Sequence, residues 1–179
     1  MNTAMKRLLE TRADLLEYLA TRPDVPRDYR IAVGLLLFTP TNKVVLLKRG
    51  KGARDAQGQF EGVGGSLDDK ENNLLSALQR EVSEEIGDVK VVIDQALGVK
   101  ILPGENRSWW VVVDYLGRLV SGTPKNMESH KAEGVYELTL GEAKDIDLSI
   151  YQRETMKMYQ EKFGDDLYYS QPKSTIGLN

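Results

Sequence analysis

Hydrophobic positions along the chain change period several times, and each change predicts an element. Residues 3–21 carry Met5, Leu8, Leu9, Leu15, Leu16 and Leu19 at helical spacing and run into Pro23 and Pro26, which predicts an N-terminal helix closed by the prolines. Apolar, β-rich runs at 31–38 and 44–48 flank Thr39-Pro40-Thr41-Asn42, the pattern of a hairpin. A glycine-containing loop at 50–65 follows, and loops of that length in compact domains are often functional. Helical spacing returns at 73–85, where Asn73 is placed to cap a helix and Gly87 to stop it. Short runs at 89–93, 99–102, 109–115 and 134–138 read as strands, and Trp109 and Trp110 in the third of these must point to opposite faces. Thr139-Leu140-Gly141-Glu142 has the spacing of a capping box, and 149–163 reads as a further amphipathic helix. The tail from 168 to 179 is turn-rich and expected to be loose. Strands and helices interleave, so the class is α/β or α+β.

Composition narrows the chemistry. A chain of 179 residues fits one domain, read as a helical extension over 1–28, a core over 29–146 and a C-terminal helix and tail over 147–179. A formal net charge of -3 argues against nucleic acid as a partner, and small anions remain suitable ligands. There is no cysteine and a single histidine, His130, so any metal site must be built from oxygen ligands. Lys6 and Arg7 are followed by Glu10, Arg12 and Asp14 rather than by an apolar run, and no apolar segment approaches spanning length. A cytoplasmic protein without membrane contact is expected.

The helix at 73–85 poses the sharpest question. At about 100° per residue, Leu75, Leu78, Val82 and Ile86 share one arc that faces a core, Glu81 and Glu85 border that arc, and Arg80 lies toward solvent. Glu81, Glu84 and Glu85 thus converge within one turn without a basic partner for each, although like charges at such spacing repel. A divalent cation between the carboxylates relieves the repulsion, and carboxylate, carbonyl and water oxygens suit Mg2+ or Mn2+. Gly64-Gly65 upstream lets a backbone carbonyl approach where a side chain would obstruct.

Gly65, Glu71, Arg80, Glu81, Val82, Glu84, Glu85 and Gly87 resemble the Nudix box, written for that family as G-x5-E-x7-R-E-U-x-E-E-x-G-U with U aliphatic. The resemblance covers about residues 29–138. It departs in two places: eight residues rather than seven separate Glu71 from Arg80, and Asp88 stands at the last aliphatic position. The extra residue is placed at Asn72-Asn73, in a loop able to absorb it, and the family role of Glu71 in fixing the helix and its arginine is what the departure puts in question.

The resemblance implies a Nudix fold, a mixed β-sheet sandwiched between helices. It implies Mg2+ or Mn2+ held by Glu81, Glu85 and the Gly65 carbonyl, with Glu84 as a third ligand or as the base that takes a proton from water, and Arg80 orienting the carboxylates. Glu128, in the polar loop of His130, is a candidate extra ligand or base; His130 itself is most simply a surface residue. Arg49, Lys51 and Arg54, in a basic run at a strand end, and Phe60 are candidate substrate contacts. The implied reaction is hydrolysis of a diphosphate bond in a nucleoside diphosphate derivative, most directly a nucleoside triphosphate giving the monophosphate and pyrophosphate. ADP-ribose, sugar nucleotides and dinucleotides are the alternatives within hydrolases, and a nucleotide-sensing module that binds without hydrolysis is the alternative outside them. The isopentenyl diphosphate isomerase branch of the superfamily requires a cysteine that this chain lacks. The N-terminal helix, outside the resemblance, needs an apolar partner for its leucines, either the sheet of its own chain or a second copy, and a homodimer contact is the favoured expectation.

Overall fold

The computed structural model describes residues 9–104 and 108–164. The expected loose tail, and the start of the N-terminal helix with Met5 and Leu8, lie outside the described residues.

Strand β1 (Arg30–Phe38) is the axis of the sheet. Along its whole length it pairs in parallel with β6 (Trp109–Ser121), from Arg30 opposite Trp110 to Phe38 opposite Arg118. Its other edge is shared: β4 (Val63–Ser66) pairs antiparallel with the first half, and β2 (Val44–Arg49) meets the end at Phe38 and Val44. Beyond β2 lie β3 (Phe60–Glu61) and β7 (Ala132–Leu138), and beyond β6 lies β5 (Lys90–Pro103). The sheet is therefore mixed, as expected. The two runs read separately at 89–93 and 99–102 are one strand, β5, whose register shifts at Lys90/Val91, Ile93/Gln95 and Ala96/Gly98 interrupt the alternation that sequence reading depends on. The expected loop at 50–65 likewise ends in strands β3 and β4, too short and glycine-rich to announce themselves.

Both faces of β1 are covered, which is why its run Leu35 to Phe38 is apolar throughout. Val33, Leu35 and Leu37 join one core with Val111, Val113 and Tyr115 of β6 and with helix α2 (Leu74–Ile86). Leu36 and Phe38 join the other with Leu116, the short helix α3 (Leu140–Lys144) and helix α4 (Ile150–Phe163). The capping box at Thr139 and Glu142 forms, and Asn73 and Ser149 cap α2 and α4 through their side chains.

The N-terminal helix, α1 (Arg12–Ala20), is shorter than its hydrophobic period suggests because Thr11 and Asp14 close a capping box at its start. Leu15 and Leu19 are buried in the first core of the same chain, while Leu16 is exposed. Leu15 and Leu19 thus find their partner within the chain and need no second copy to be buried. Among the described residues no helix is long and apolar enough to cross a membrane.

Candidate active site

Helix α2 buries Leu74, Ala77, Leu78, Val82 and Ile86, which leaves Glu81, Glu84 and Glu85 along the edge that meets β4. They line one end of a cavity of about 490 Å3. The cavity runs from there past Arg49 and Glu61 to Trp110, Asp114 and α4. Gly65 faces Glu81 so closely that a Cβ there would stand 2.4 Å from its carboxyl carbon. At the neighbouring position, the Gly64 amide donates to Glu85 Oε2 at 2.9 Å. The glycine pair therefore serves the carboxylates through its backbone and its lack of side chains.

Arg80 is not at the solvent pole. Its side chain folds along the helix, donates to Glu81 Oε1 at 2.7 Å and Glu84 Oε2 at 3.2 Å through Nη1, and meets Glu71 at 3.0 Å through both Nε and Nη2. The carboxylate cluster thus has a basic partner that helical geometry alone did not assign to it. Glu71 reaches Arg80 despite the extra residue in the spacing, and that contact holds its carboxyl below the usual range. Burial pushes Glu85 well above the usual range despite the Gly64 amide, and the charges of Glu81, Glu61 and Glu128 push the same way. Burial raises Glu81 as well, against the pull of Arg80.

Glu128 arrives at this end because its loop satisfies the open carbonyls of α2: Lys125 N donates to Ile86 O at 3.0 Å and Met127 N to Glu85 O at 3.1 Å. Its carboxylate is held by Lys131 at 2.7 Å. His130 is exposed, as read. The donor set at this end, carboxylates and backbone oxygens with no nitrogen or sulfur, fits a hard divalent cation, and the buried, cation-poor carboxylate of Glu85 points the same way. Among the described residues no three carboxylates are already gathered as metal ligands. Arg80 holds two of them and Lys131 a third, so cation binding requires those contacts to loosen.

The basic run divides. Arg49 lines the cavity but is committed, to Glu61 at 2.6 Å, to the Asp55 carboxylate at 2.7 Å and to the Asp55 carbonyl at 2.8 Å. Arg54 lies over the Trp110 ring, 5.1 Å from its centroid. Lys51 is exposed, and Phe60 packs against the second core and meets the exposed Tyr136 ring edge-on; neither lines the cavity. Of the tryptophans, Trp110 faces the cavity and Trp109 is 38% exposed.

The far end of the cavity holds groups that sequence reasoning missed. Lys100 Nζ is buried against Asp114 Oδ2 at 2.7 Å and donates to the Tyr151 carbonyl, and Thr155 Oγ1 donates to the same Asp114 oxygen at 2.9 Å. Gly34 makes room for this, since a Cβ there would stand 2.3 Å from Asp114 Oδ1. Gln152 is buried; its Oε1 accepts from Gly62 N at 2.9 Å, and its Nε2 has no partner among the described residues. Glu61, raised by burial despite Arg49, stands between the ends.

The family model of the NUDIX domain matches residues 28–159. A comparison with curated proteins finds no match. Among solved structures, the chain resembles a MutT NUDIX hydrolase from Burkholderia pseudomallei, with 24% identity, TM-score 0.60 and coverage of 74% of this chain and 98% of that one. It resembles the MutT protein of Methanosarcina mazei Go1 at 19% identity and TM-score 0.64, over 77% of this chain and 97% of that one. The NUDIX domain of Shewanella oneidensis NrtR, solved with ADP ribose, matches at 20% identity and TM-score 0.62, over 82% of this chain and 96% of that one. These likenesses carry the fold, and the match of the family model over most of the chain carries the membership: the protein belongs to the Nudix hydrolase family.

Proposed function

We propose that this protein hydrolyses a diphosphate bond in a nucleoside diphosphate derivative, most directly a nucleoside triphosphate, releasing the monophosphate and pyrophosphate. The observation that carries the reading is the pairing, in one cavity, of the Glu81/Glu84/Glu85/Glu128 carboxylates with a far end that offers an aromatic face at Trp110 and an unpaired donor at Gln152 Nε2. In this reading Glu81 and Glu85, with the Gly65 carbonyl, hold Mg2+ or Mn2+, and Glu84 or Glu128 completes the set. The bound cation supplies charge neutralisation of the phosphates and a more acidic water. Glu84, the most exposed of the helix carboxylates, takes the proton as water adds to phosphorus and the anhydride P–O bond breaks. Arg80 fixes the carboxylates, and Arg49 holds Glu61 through its Nη1 contact. The nucleobase lies against Trp110, displacing the exposed Arg54, and accepts a hydrogen bond from Gln152, whose amide is oriented by Gly62.

The test is a screen of nucleoside triphosphates, ADP-ribose, sugar nucleotides and dinucleotides with Mg2+, separating the nucleotide products and reading phosphate and pyrophosphate directly and phosphate monoesters after phosphatase treatment. Pyrophosphate from a nucleoside triphosphate supports the reading. Metal-dependent release of products from ADP-ribose or a sugar nucleotide alone moves the substrate, and binding without turnover moves the protein to a sensing role.

A further inference from the structure

The N-terminal segment lies outside the box, yet its contacts converge on the box. Arg12 donates from Nη2 to the Asp68 carbonyl at 2.9 Å and, through Nε and Nη2, to the Glu71 carbonyl at 3.2 and 3.1 Å. Its backbone amide donates to Asn72 O at 2.8 Å, and Leu74 N donates to Glu10 O at 2.7 Å. Thr11 and Asn73 form an antiparallel bridge between these bonds. The segment is anchored on its other side by the Tyr115 hydroxyl, which donates to Leu9 O, and by Leu15 and Leu19 in the core. Leu74 opens α2, so Glu10 satisfies one of the amides that the first turn of that helix leaves open. The residues that depart from the box spacing, Asn72-Asn73, are the ones that pair with the N-terminal segment.

The consequence runs through Glu71. Arg12 pins the turn 68–71 by two of its carbonyls, and the Asp68 amide donates to Glu71 Oε2 at 2.9 Å, so the Glu71 carboxylate is presented to Arg80 in one orientation. Glu71, with the Ser66 carbonyl on Nη2 at 3.2 Å, then occupies the Nε and Nη2 edge of Arg80 and leaves Nη1 to share between Glu81 and Glu84. If Glu71 drifts, Nε loses its partner and Nη2 keeps only the Ser66 carbonyl, so the Arg80 fork can take a carboxylate in two-point fashion, a stronger contact that competes with a cation for the same oxygens.

We infer that Arg12 is a positioning residue of the active site: by fixing the Asp68–Glu71 turn it keeps Arg80 from closing on Glu81 and Glu84, and so sets their affinity for a divalent cation. This rests on the proposed function only for the identity of the cation site. Outer contacts of this kind are worth about 10- to 100-fold in metal affinity or activity when removed.

The experiment compares the full chain with Arg12→Met, Arg12→Lys and, as a control that loosens α1 without touching the turn, Leu19→Ala, all well below their melting temperatures. Mn2+ binding is measured calorimetrically without nucleotide, and hydrolysis is measured as a function of Mg2+. Arg12→Met should weaken Mn2+ binding by about 10-fold, shift the Mg2+ dependence by a matching factor with substrate KM little changed, and regain turnover in excess Mg2+. Arg12→Lys, which keeps one donor to the turn, should fall between. Unchanged Mn2+ affinity in Arg12→Met overturns the inference, as does an equal shift in Leu19→Ala, which would assign the effect to loosening of the helix. A wild-type chain that binds Mn2+ but turns over no nucleotide overturns the proposed reaction and leaves the binding arm to decide on Arg12. A wild-type chain that binds no divalent cation overturns both.

Discussion

The two ends of the cavity are built in opposite ways. At the acidic end Glu81, Glu84 and Glu85 come from one turn of one helix, and the cluster is under electrostatic tension: burial and the charges of Glu81, Glu61 and Glu128 disfavour the ionised form of Glu85. At the far end Lys100, Asp114 and Thr155 come from three elements and form a closed network in which each charge has its partner. Strain sits in the carboxylate cluster and satisfaction in the Lys100–Asp114–Thr155 network, so substitutions in the two should move stability in opposite directions.

The largest effect should come from the far end. Lys100→Met leaves Asp114, 2% exposed, with only the Thr155 hydroxyl as partner, and breaking a buried pair in this way costs about 3–5 kcal/mol. Urea denaturation measures it. Replacing both members by apolar residues should recover most of the loss. A single-substitution loss below about 1 kcal/mol, the range of a solvated pair, would show that this end is not a closed network.

At the acidic end, Glu85→Gln should lower turnover by about 100-fold or more, equivalent to at least about 2.7 kcal/mol of barrier, while raising the stability of the metal-free protein at neutral pH. The sign follows from the raised carboxyl. Between the unfolded value near 4.3 and its higher folded value, the native state binds more protons than the unfolded one, so stability falls as pH rises through that window. The substitution removes that slope. Thermal melts of both proteins with and without Mg2+ check it: Mg2+ should raise the melting temperature of the wild type and leave that of Glu85→Gln nearly unmoved. Near-normal turnover at saturating Mg2+ would remove Glu85 from the site.

This contrast also governs what the sequence reveals. Glu81, Glu84 and Glu85 are legible because one helical period places them, and the glycines and Arg80 stand within the same local stretch. Lys100 reads as an ordinary strand lysine, since its partners Asp114 and Thr155 are set by the pairing of β5 with β6 and the docking of α4. Gln152 sits in an amphipathic helix of low apolar content, where a polar residue excites no notice; its burial follows from the glycine at 62, whose amide it caps. Arg80 was placed toward solvent because helical angles locate the Cβ and say nothing of how far a guanidinium travels. The partner of the N-terminal helix is illegible for a related reason: an amphipathic helix announces that it needs a partner but not which surface supplies it.

A smaller effect tests whether the far end selects the nucleobase. Gln152→Leu removes the unpaired donor, and loss of one hydrogen bond to a neutral acceptor is worth roughly 1 kcal/mol. kcat/KM for nucleoside triphosphates should fall by about 5- to 10-fold, with inorganic triphosphate, which has no base, unaffected. An equal fall for both would mean that Gln152 acts only through Gly62 and the shape of β4.

A last effect, read in stability rather than turnover and of similar size, joins the acidic end to the N-terminal segment. Asn72 has an exposed side chain, and as a looped-out extra residue it would be dispensable, so that deleting it would restore the family spacing at no cost. Its backbone is not idle: Asn72 O accepts from Arg12 N at 2.8 Å, and the next amide but one, Leu74 N, donates to Glu10 O at 2.7 Å. Deletion shifts the register of this pairing by one residue, turning the partners of the bridge away from each other. The loss should be about 1–2 kcal/mol, the worth of two backbone hydrogen bonds, while Asn72→Ala, which keeps the carbonyl, should be close to neutral. Hydrogen exchange at Arg12 and Leu74 locates the change: both amides should lose protection in the deletion variant and keep it in Asn72→Ala. A deletion variant as stable as the wild type, with both amides still protected, would show that the N-terminal segment re-registers freely and that the extra residue is an ordinary loop insertion.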